Sequence, residues 1–197
     1  MGDIKSAREI AMEKIAAMGE PTEAERMEWK YLPEGEKLAA RYLKGEFQLS
    51  SELVKFDIIA LPFIVRGVCA VLIKNINLPT DEAAQKANKI AMDGVKSIKT
   101  DKSKAEAILN QMRQIFTHYT TQGEQQRKQA YAVLKEDFQA KVEQALQQQM
   151  GSAGANMRID IEKQPQFQEE WRKVKNQLET QYTKVLTELK QQLNLLN

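Results

Sequence analysis

The chain contains only one cysteine and one histidine in 197 residues. A disulfide within the chain needs a second cysteine besides Cys69, and zinc or iron–sulfur sites built from several cysteines are excluded. His118 is not preceded by a glutamate at the spacing of a di-iron helix bundle, and no orienting group for general-base catalysis is recognisable. Glycine loops for phosphate or dinucleotides and the serine-hydrolase elbow are also missing. We therefore predict a protein that is not an enzyme and has no cofactor or metal site.

Net charge and helix-breaking residues are low as well. Lysine and arginine total 29 against 27 aspartates and glutamates, so a formal charge of +2 gives no global field that favours nucleic acid or anionic lipid. Prolines number five and glycines nine, while the strong helix formers Ala, Glu, Lys, Gln and Leu dominate, which predicts an all-α protein. The first residues lack the apolar run of a signal peptide, and a single cysteine suits a reducing compartment, so we expect a cytoplasmic location.

Apolar sequence is concentrated in "DIIALPFIVRGVCAVLI", residues 57–73. Arg66 lies near its centre, and an arginine at the centre of a bilayer helix costs about 2.5–3.5 kcal/mol. We therefore predict the central helix of a bundle and no membrane span. Pro62 either bends this helix or marks the start of a second one. Arg66 either reaches solvent or pairs with a carboxylate.

Local signals predict where other helices begin. Thr22 and Glu25 have the spacing of a capping box, and Pro33 is expected to interrupt the helix that they open. Ser103 and Glu106 have the same spacing and are expected to open a later helix. The first half of the chain is therefore predicted to be a set of short helices.

Composition changes along the chain, because 18 of the 20 glutamines lie between residues 111 and 197. We place a soft domain boundary at about residue 100. Residues 1–100 are predicted to form a bundle of short helices around the apolar helix, and residues 101–197 a long, coiled-coil-like helical hairpin in an elongated bundle. Whether the two halves share one core is left open.

Two features interrupt the second half. The apolar stripes before and after "TTQGEQ" are rotated by roughly 160° from each other at about 100° per residue. Either the chain bends near Gly123 or the helix has partners on opposite sides, and we prefer the bend. Residues 157–162, "MRIDIE", alternate apolar and polar side chains, which indicates a short β-strand or an extended linker.

The last helix has the most regular pattern of the chain. Apolar residues recur at steps of four, three and four, an 11-residue repeat of about 3.67 residues per turn that keeps the stripe nearly parallel to the helix axis. The partner helix belongs either to a second subunit or to residues 105–150. The predicted interaction surface on this helix is Phe167, Trp171, Val174, Leu178, Tyr182, Val185 and Leu189.

A local basic patch lies between residues 86 and 104. Lysines of this kind contact phosphates on nucleic-acid surfaces, although the patch has neither arginine nor aromatic residues to read or stack bases. The predicted phosphate contacts are Lys86, Lys89, Lys96, Lys99, Lys102 and Lys104.

The opening stretch "DIKSAREIAMEK", residues 3–14, resembles a family of uncharacterised bacterial proteins that begin with an E-I-K-S-like stretch. The resemblance lies in Ile4, Lys5, Ser6, Met12 and Glu13. It implies a bacterial cytoplasmic origin and no particular activity. The long helices rich in Gln, Glu and Lys with 11-residue periodicity also resemble peripheral-stalk subunits of rotary ATPases. Those subunits, however, usually begin with the long helix and end in a compact α/β domain.

These patterns predict a non-enzymatic helical interaction or scaffold protein, which assembles as a homodimer or with another helical protein through the last helix. Large aromatic side chains at regular helical spacing need a partner helix, and this requirement carries the prediction. The alternative is a nucleic-acid-associated accessory protein that uses the lysine patch.

Overall fold

The computed structural model describes residues 20–150 and 160–196, together with Ser6, Arg8 and Glu9. The chain forms two compact units, residues 1–72 and 73–197. The predicted boundary near residue 100 falls inside the second unit, in a short connection between two helices. The all-α prediction is confirmed, because the described residues form helices and turns and no strand.

The first unit contains α1 (Glu23–Leu43), α2 (Leu49–Leu53) and the greater part of α3 (Leu61–Lys74). α1 begins with the predicted capping box. The Thr22 hydroxyl accepts a hydrogen bond from the N–H of Glu25, and the Glu25 carboxylate accepts one from the N–H of Thr22. Two of the otherwise unpaired donors at this helix start are thereby satisfied.

The prediction that Pro33 interrupts this helix is wrong, because α1 continues through it for ten more residues to Leu43. A proline inside a helix costs about 3 kcal/mol through the lost hydrogen bond and the clash of its ring. Gly35, Leu38 and Ala39 follow immediately and are buried. Tertiary burial of this turn therefore outweighs the local cost of the proline.

α1 and α3 cross at two glycines. A Cβ atom on Gly35 would lie 2.2 Å from the carbonyl oxygen of Ile64, and one on Gly67 would lie 2.3 Å from the carbonyl oxygen of Leu32. No side chain larger than hydrogen fits at either position without backbone movement. The two helices therefore pack backbone against backbone.

Pro62 is the second residue of α3, so it marks a helix start and does not bend the helix. Proline suits the first turn of a helix, where its missing N–H would have no intrahelical acceptor. Arg66 pairs with Glu28 of α1, and both side chains are about half exposed. Arg66 is thus a surface ion-pair residue. Among the described residues, no helix has the length and apolarity required to cross a membrane.

The second unit contains α4 (Glu82–Ile98), α5 (Lys102–Thr120), α6 (Gln122–Met150), a 3-10 turn (Ile161–Lys163) and α7 (Pro165–Leu195). The 3-10 turn overturns the predicted strand at residues 161 and 162, while residues 157–159 lie outside the described ranges. Isolated alternation is a weak strand signal, since a strand needs a pairing partner.

α5 is capped by Asp101 and not by the predicted box of Ser103 and Glu106. The Asp101 carboxylate accepts a hydrogen bond from the N–H of Lys104 at 2.9 Å. Glu106 instead lies within 2.9 Å of Lys96 and 2.8 Å of Arg113. The Glu106 carboxylate therefore forms tertiary ion pairs and not the capping box that the local pattern predicted.

α7 packs antiparallel along both α5 and α6. Phe167 and Trp171 at its start lie against Tyr131 of α6, with ring centroids 5.5 and 5.0 Å apart. Further along, Glu179 accepts a hydrogen bond from Tyr119 of α5 at 2.7 Å. Just beyond its end, the carbonyl of Leu196 accepts a hydrogen bond from the Lys99 ammonium group. Within the second unit, α5, α6 and α7 thus form a long helical hairpin whose second arm is one helix.

The connection between α3 and α4 is held by Asn88, which is 3% exposed. Its side-chain oxygen accepts a hydrogen bond from the N–H of Asn77 at 2.8 Å, and its amide nitrogen donates to the carbonyl of Asn77 at 2.6 Å. One buried side chain thereby satisfies both backbone polar groups of Asn77.

We predict that Gly67→Ala lowers the free energy of unfolding by about 1–3 kcal/mol, because its Cβ must displace the backbone of α1. Helix propensity alone predicts the opposite sign, a gain of up to about 1 kcal/mol. Urea denaturation followed by circular dichroism distinguishes the two.

Gly45→Ala is the control for this variant, because no atom lies within 4 Å of the position of its Cβ. Its backbone φ is 80°, so only the conformational cost of about 1–2 kcal/mol is expected. A Gly67→Ala protein as stable as the wild type would contradict the close crossing of α1 and α3.

We also predict that Asn88→Ala costs about 1–3 kcal/mol in the free energy of unfolding, since it leaves the N–H and carbonyl of Asn77 without their partners. Asn176→Ala changes an exposed asparagine of α7 and is expected to stay within about 0.5 kcal/mol of the wild type. Equal unfolding midpoints for the two variants would argue against this role of Asn88.

Candidate functional site

The break between α5 and α6 is a single residue. α5 ends at Thr120, Thr121 has φ of −106° and ψ of −84°, and α6 begins at Gln122. The helix is therefore interrupted two residues before Gly123, in the stretch where the sequence predicted a bend. Gly123 is buried, and a Cβ atom on it would lie 2.9 Å from the hydroxyl of Tyr182 on α7. Gly123 therefore makes room for an aromatic side chain, a role that sequence reasoning did not assign to it.

Tyr119 is the most buried side chain at this break, with 2% of its surface exposed. Its hydroxyl donates a hydrogen bond to Glu179 at 2.7 Å. The Arg127 guanidinium lies 4.0 Å from the centre of its ring and donates to the Tyr119 carbonyl at 3.1 Å. Burial, followed by the hydrogen bond to Glu179, raises the pKa of Tyr119 to about 12.

His118 and Tyr182 complete the arrangement. The Nδ1 atom of His118 lies 2.7 Å from the hydroxyl oxygen of Tyr182, and the Tyr182 ring meets the Tyr119 ring edge-on at 5.3 Å. We call His118, Tyr119, Arg127, Glu179 and Tyr182 the hinge cluster. It joins α5, α6 and α7 at the break between α5 and α6.

An apolar groove of about 500 Å³ lies on one side of the hinge cluster. Its apolar side chains are Ile115 of α5 together with Leu178 and Val185 of α7. Val185 is 41% exposed. The rest of the groove is formed by uncharged amides and by two residues of the hinge cluster, namely Gln126, Gln177, Gln181, His118 and Tyr182.

A second depression, of about 330 Å³, lies between the start of α6 and the start of α7, and we call it the cationic notch. Three cations and two aromatic rings line it, together with one carboxylate. These residues are Arg127, Lys128, Lys175, Tyr131, Trp171 and Glu124. Cations and aromatic rings thus meet here, whereas the predicted lysine patch lacks aromatic residues.

The predicted interaction surface on α7 is largely used within the chain. Phe167 and Leu189 are buried, and Trp171 and Tyr182 contact aromatic residues of α5 and α6. Val174 is half-buried, while Leu178 and Val185 line the apolar groove. Packing against residues 105–150, one of the two alternatives left open by the sequence, therefore describes most of this stripe.

One lysine of the predicted patch is buried, and two others form ion pairs. Lys99 is 7% exposed, and its ammonium group donates to the carbonyl of Leu196, so Lys99 is unsuited to contact phosphate. Lys96 pairs with Glu106 at 2.9 Å, and Lys104 pairs with Asp101 at 3.1 Å.

The side chains of Lys86, Lys89 and Lys102 are exposed. Lys89 lines a separate cleft of about 480 Å³ between α4 and α5. Phosphate contact by the exposed lysines of the patch stays a prediction.

Sequence reasoning missed Arg127, Lys128, Lys175 and Glu179. Lys175 and Glu179 follow Trp171 at steps of four, so they continue the same face of α7. That spacing was a readable signal, but only the register of α7 on α5 and α6 shows which residues meet it.

The chain belongs to a family of unknown function (DUF6657), whose sequence model matches residues 50–194. No curated protein and no solved structure matches the chain. The matched range contains the hinge cluster, the apolar groove and the cationic notch. The resemblance to an uncharacterised family is thereby confirmed at that level. Residues 3–14 lie outside the match, so the resemblance of that stretch and the bacterial origin stay predictions. The likeness of the long helices to peripheral-stalk subunits stays a prediction as well.

We predict that Glu179→Gln lowers the pKa of Tyr119 from about 12, because an ionised acceptor next to the hydroxyl disfavours its deprotonation. The neutral hydroxyl has a folded-state pKa above its unfolded value of 10.0. Its contribution to stability is therefore complete below pH 10 and is lost as the pH rises towards 12. Ultraviolet titration of tyrosinate checks the shift.

Tyr119→Phe identifies the transition, because it removes the tyrosine that should ionise last. A titration curve of Glu179→Gln identical to that of the wild type would show that Tyr119 does not donate to Glu179. Glu188→Gln alters an exposed carboxylate of α7 and serves as the matched control.

Proposed function

We propose that this protein is a non-enzymatic helical interaction protein that assembles as a homodimer through the apolar groove between α5 and α7. The observation that carries the proposal is the groove itself, in which Ile115, Leu178 and Val185 leave an apolar strip open beside a long helix. Grooves of this kind receive the apolar face of another helix.

A second copy of the chain is the occupant that the side chains favour. The groove contains three glutamines, one histidine and no Asp, Glu, Lys or Arg. Two-fold assembly places each surface against its own copy, so charged side chains near the axis would repel their equivalents. Uncharged amides avoid this repulsion and can donate and accept hydrogen bonds across the interface.

The contacts of the hinge cluster support a role without catalysis. Glu179 accepts a hydrogen bond from the Tyr119 hydroxyl, and Arg127 stacks on the Tyr119 ring. The Tyr182 hydroxyl lies within hydrogen-bond distance of His118. A general base needs a reachable substrate proton and a nucleophile needs an activating base. These groups instead bind one another, which suits a structural joint. We further propose a cytoplasmic location, which suits a chain with one buried cysteine.

We predict that light scattering of the purified protein at micromolar concentration gives the mass of a dimer. Val185→Glu places a charge in the groove and, on two-fold assembly, next to its equivalent. It should weaken dimerisation by at least about tenfold, which corresponds to 1.4 kcal/mol. Sedimentation at several concentrations measures the dissociation constant.

Val133→Glu is the matched control, because Val133 is 58% exposed on α6 and does not line the groove. It should leave the dissociation constant unchanged. A wild-type monomer at micromolar concentration would contradict the homodimer. Equal weakening by both variants would place the interface elsewhere.

A further inference from the structure

The cationic notch combines positively charged side chains with aromatic rings. Arg127, Lys128 and Lys175 carry positive charge, and Glu124 carries the one negative charge among its lining residues. Glu124 pairs with Lys128 at 2.6 Å, but both are exposed helix residues four positions apart, and such pairs are weak. The notch is therefore a local positive site in a chain of nearly neutral charge.

The aromatic side of the notch is held rigidly. Tyr131 and Trp171 meet edge-on, with centroids 5.0 Å apart and planes at 82°. Tyr131 also meets Phe167 edge-on at 5.5 Å. Tyr131 is thus fixed by two neighbours, while Trp171 remains half-buried with surface left to line the notch. A fixed ring costs little conformational entropy when a flat ligand stacks on it.

The cationic side is partly fixed as well. Arg127 is held by its stacking on Tyr119 and by its hydrogen bond to the Tyr119 carbonyl. A guanidinium has five N–H donors, so this one bond leaves others for a ligand. The Lys175 ammonium nitrogen lies 3.9 Å from the Glu179 carboxylate, at the limit of an ion pair. Glu179 already accepts a hydrogen bond from the Tyr119 hydroxyl.

We propose that the cationic notch binds an aromatic base that carries a phosphate group, either as a free nucleotide or within a single strand. The base stacks on Trp171, and the phosphate binds Arg127, Lys128 and Lys175. Base stacking on aromatic side chains combined with cations along the backbone is how single-stranded nucleic acids are bound. The volume of about 330 Å³ lies in the lower part of the range for small-ligand sites.

This proposal is independent of the homodimer, because the notch shares none of its lining residues with the apolar groove. It also differs from the predicted lysine patch, of which it contains no residue. The patch offers only lysines, whereas the notch places a guanidinium and an indole beside two lysines.

Tryptophan fluorescence tests the proposal on the full chain. The protein has two tryptophans, so Trp29→Phe leaves Trp171 as the single reporter. Adenosine monophosphate and a short oligothymidylate are titrated at low and at high salt. We expect saturable quenching that weakens as salt rises, because phosphate contacts release counterions. Adenosine and ribose 5-phosphate each lack one half of the ligand and should bind at least about tenfold more weakly. Ribose 5-phosphate has no base to quench Trp171, so its binding is measured by competition with adenosine monophosphate.

The two sources of the ligand are distinguished by the same titrations. Tighter binding of the oligonucleotide with a steeper salt dependence identifies a single strand, and equal binding of the mononucleotide identifies a free nucleotide. No saturable quenching by either compound would overturn the proposal. Binding of adenosine as tight as that of its monophosphate would overturn the phosphate contacts.

Lys175→Gln in the same background should weaken binding by about tenfold through loss of a phosphate contact. Lys184→Gln removes an exposed lysine of the same helix that lies outside the notch, and it should bind as tightly as the parent protein. Equal affinity of both variants would contradict the site. Circular dichroism of each variant confirms that the helices are intact.

Discussion

The antiparallel packing of α7 along α5 and α6 is the interaction on which the second unit depends. The helix is interrupted at Thr121 between α5 and α6, and the apolar stripes on either side of the break need cover. α7 supplies that cover as one continuous helix, with Phe167 and Trp171 on α6 and Tyr182 on α5. The interruption and the long partner helix therefore belong together, because an uninterrupted α5–α6 helix would turn one apolar stripe away from α7.

Periodicity allowed the helices of this arrangement to be predicted, since the 11-residue repeat of α7 and the rotation of the stripes near Gly123 are properties of single segments. Helix interruptions and the partners of individual side chains were less predictable. Pro33 lies inside α1 because the turn after it is buried, and Glu106 binds Lys96 and Arg113 instead of capping α5. In each case a tertiary contact outweighed a local preference of a few kcal/mol or less.

The candidate site was harder to predict than the fold, because the spacing of charged residues on a helix face does not show which residues of other helices meet them. Lys175 and Glu179 become functional candidates only when the register brings α6 and α5 beside them. The reverse happened to Lys99, which the sequence grouped with surface lysines. Its position beside the end of α7 buries it and turns its charge towards a carbonyl at a helix C-terminus, where positive charge is favourable.

The hinge cluster bears on whether the two proposed surfaces act independently. Tyr182 lines the apolar groove and Arg127 lines the cationic notch, and both contact the ring of Tyr119 between them. Coupling between two sites requires an element with two discrete arrangements that both sites bias. Tyr119 is instead fixed by burial, by the bond of its hydroxyl to Glu179 and by Arg127 on its ring. The cluster therefore acts as a rigid wall between the groove and the notch, and occupancy of one does not require a rearrangement of the other.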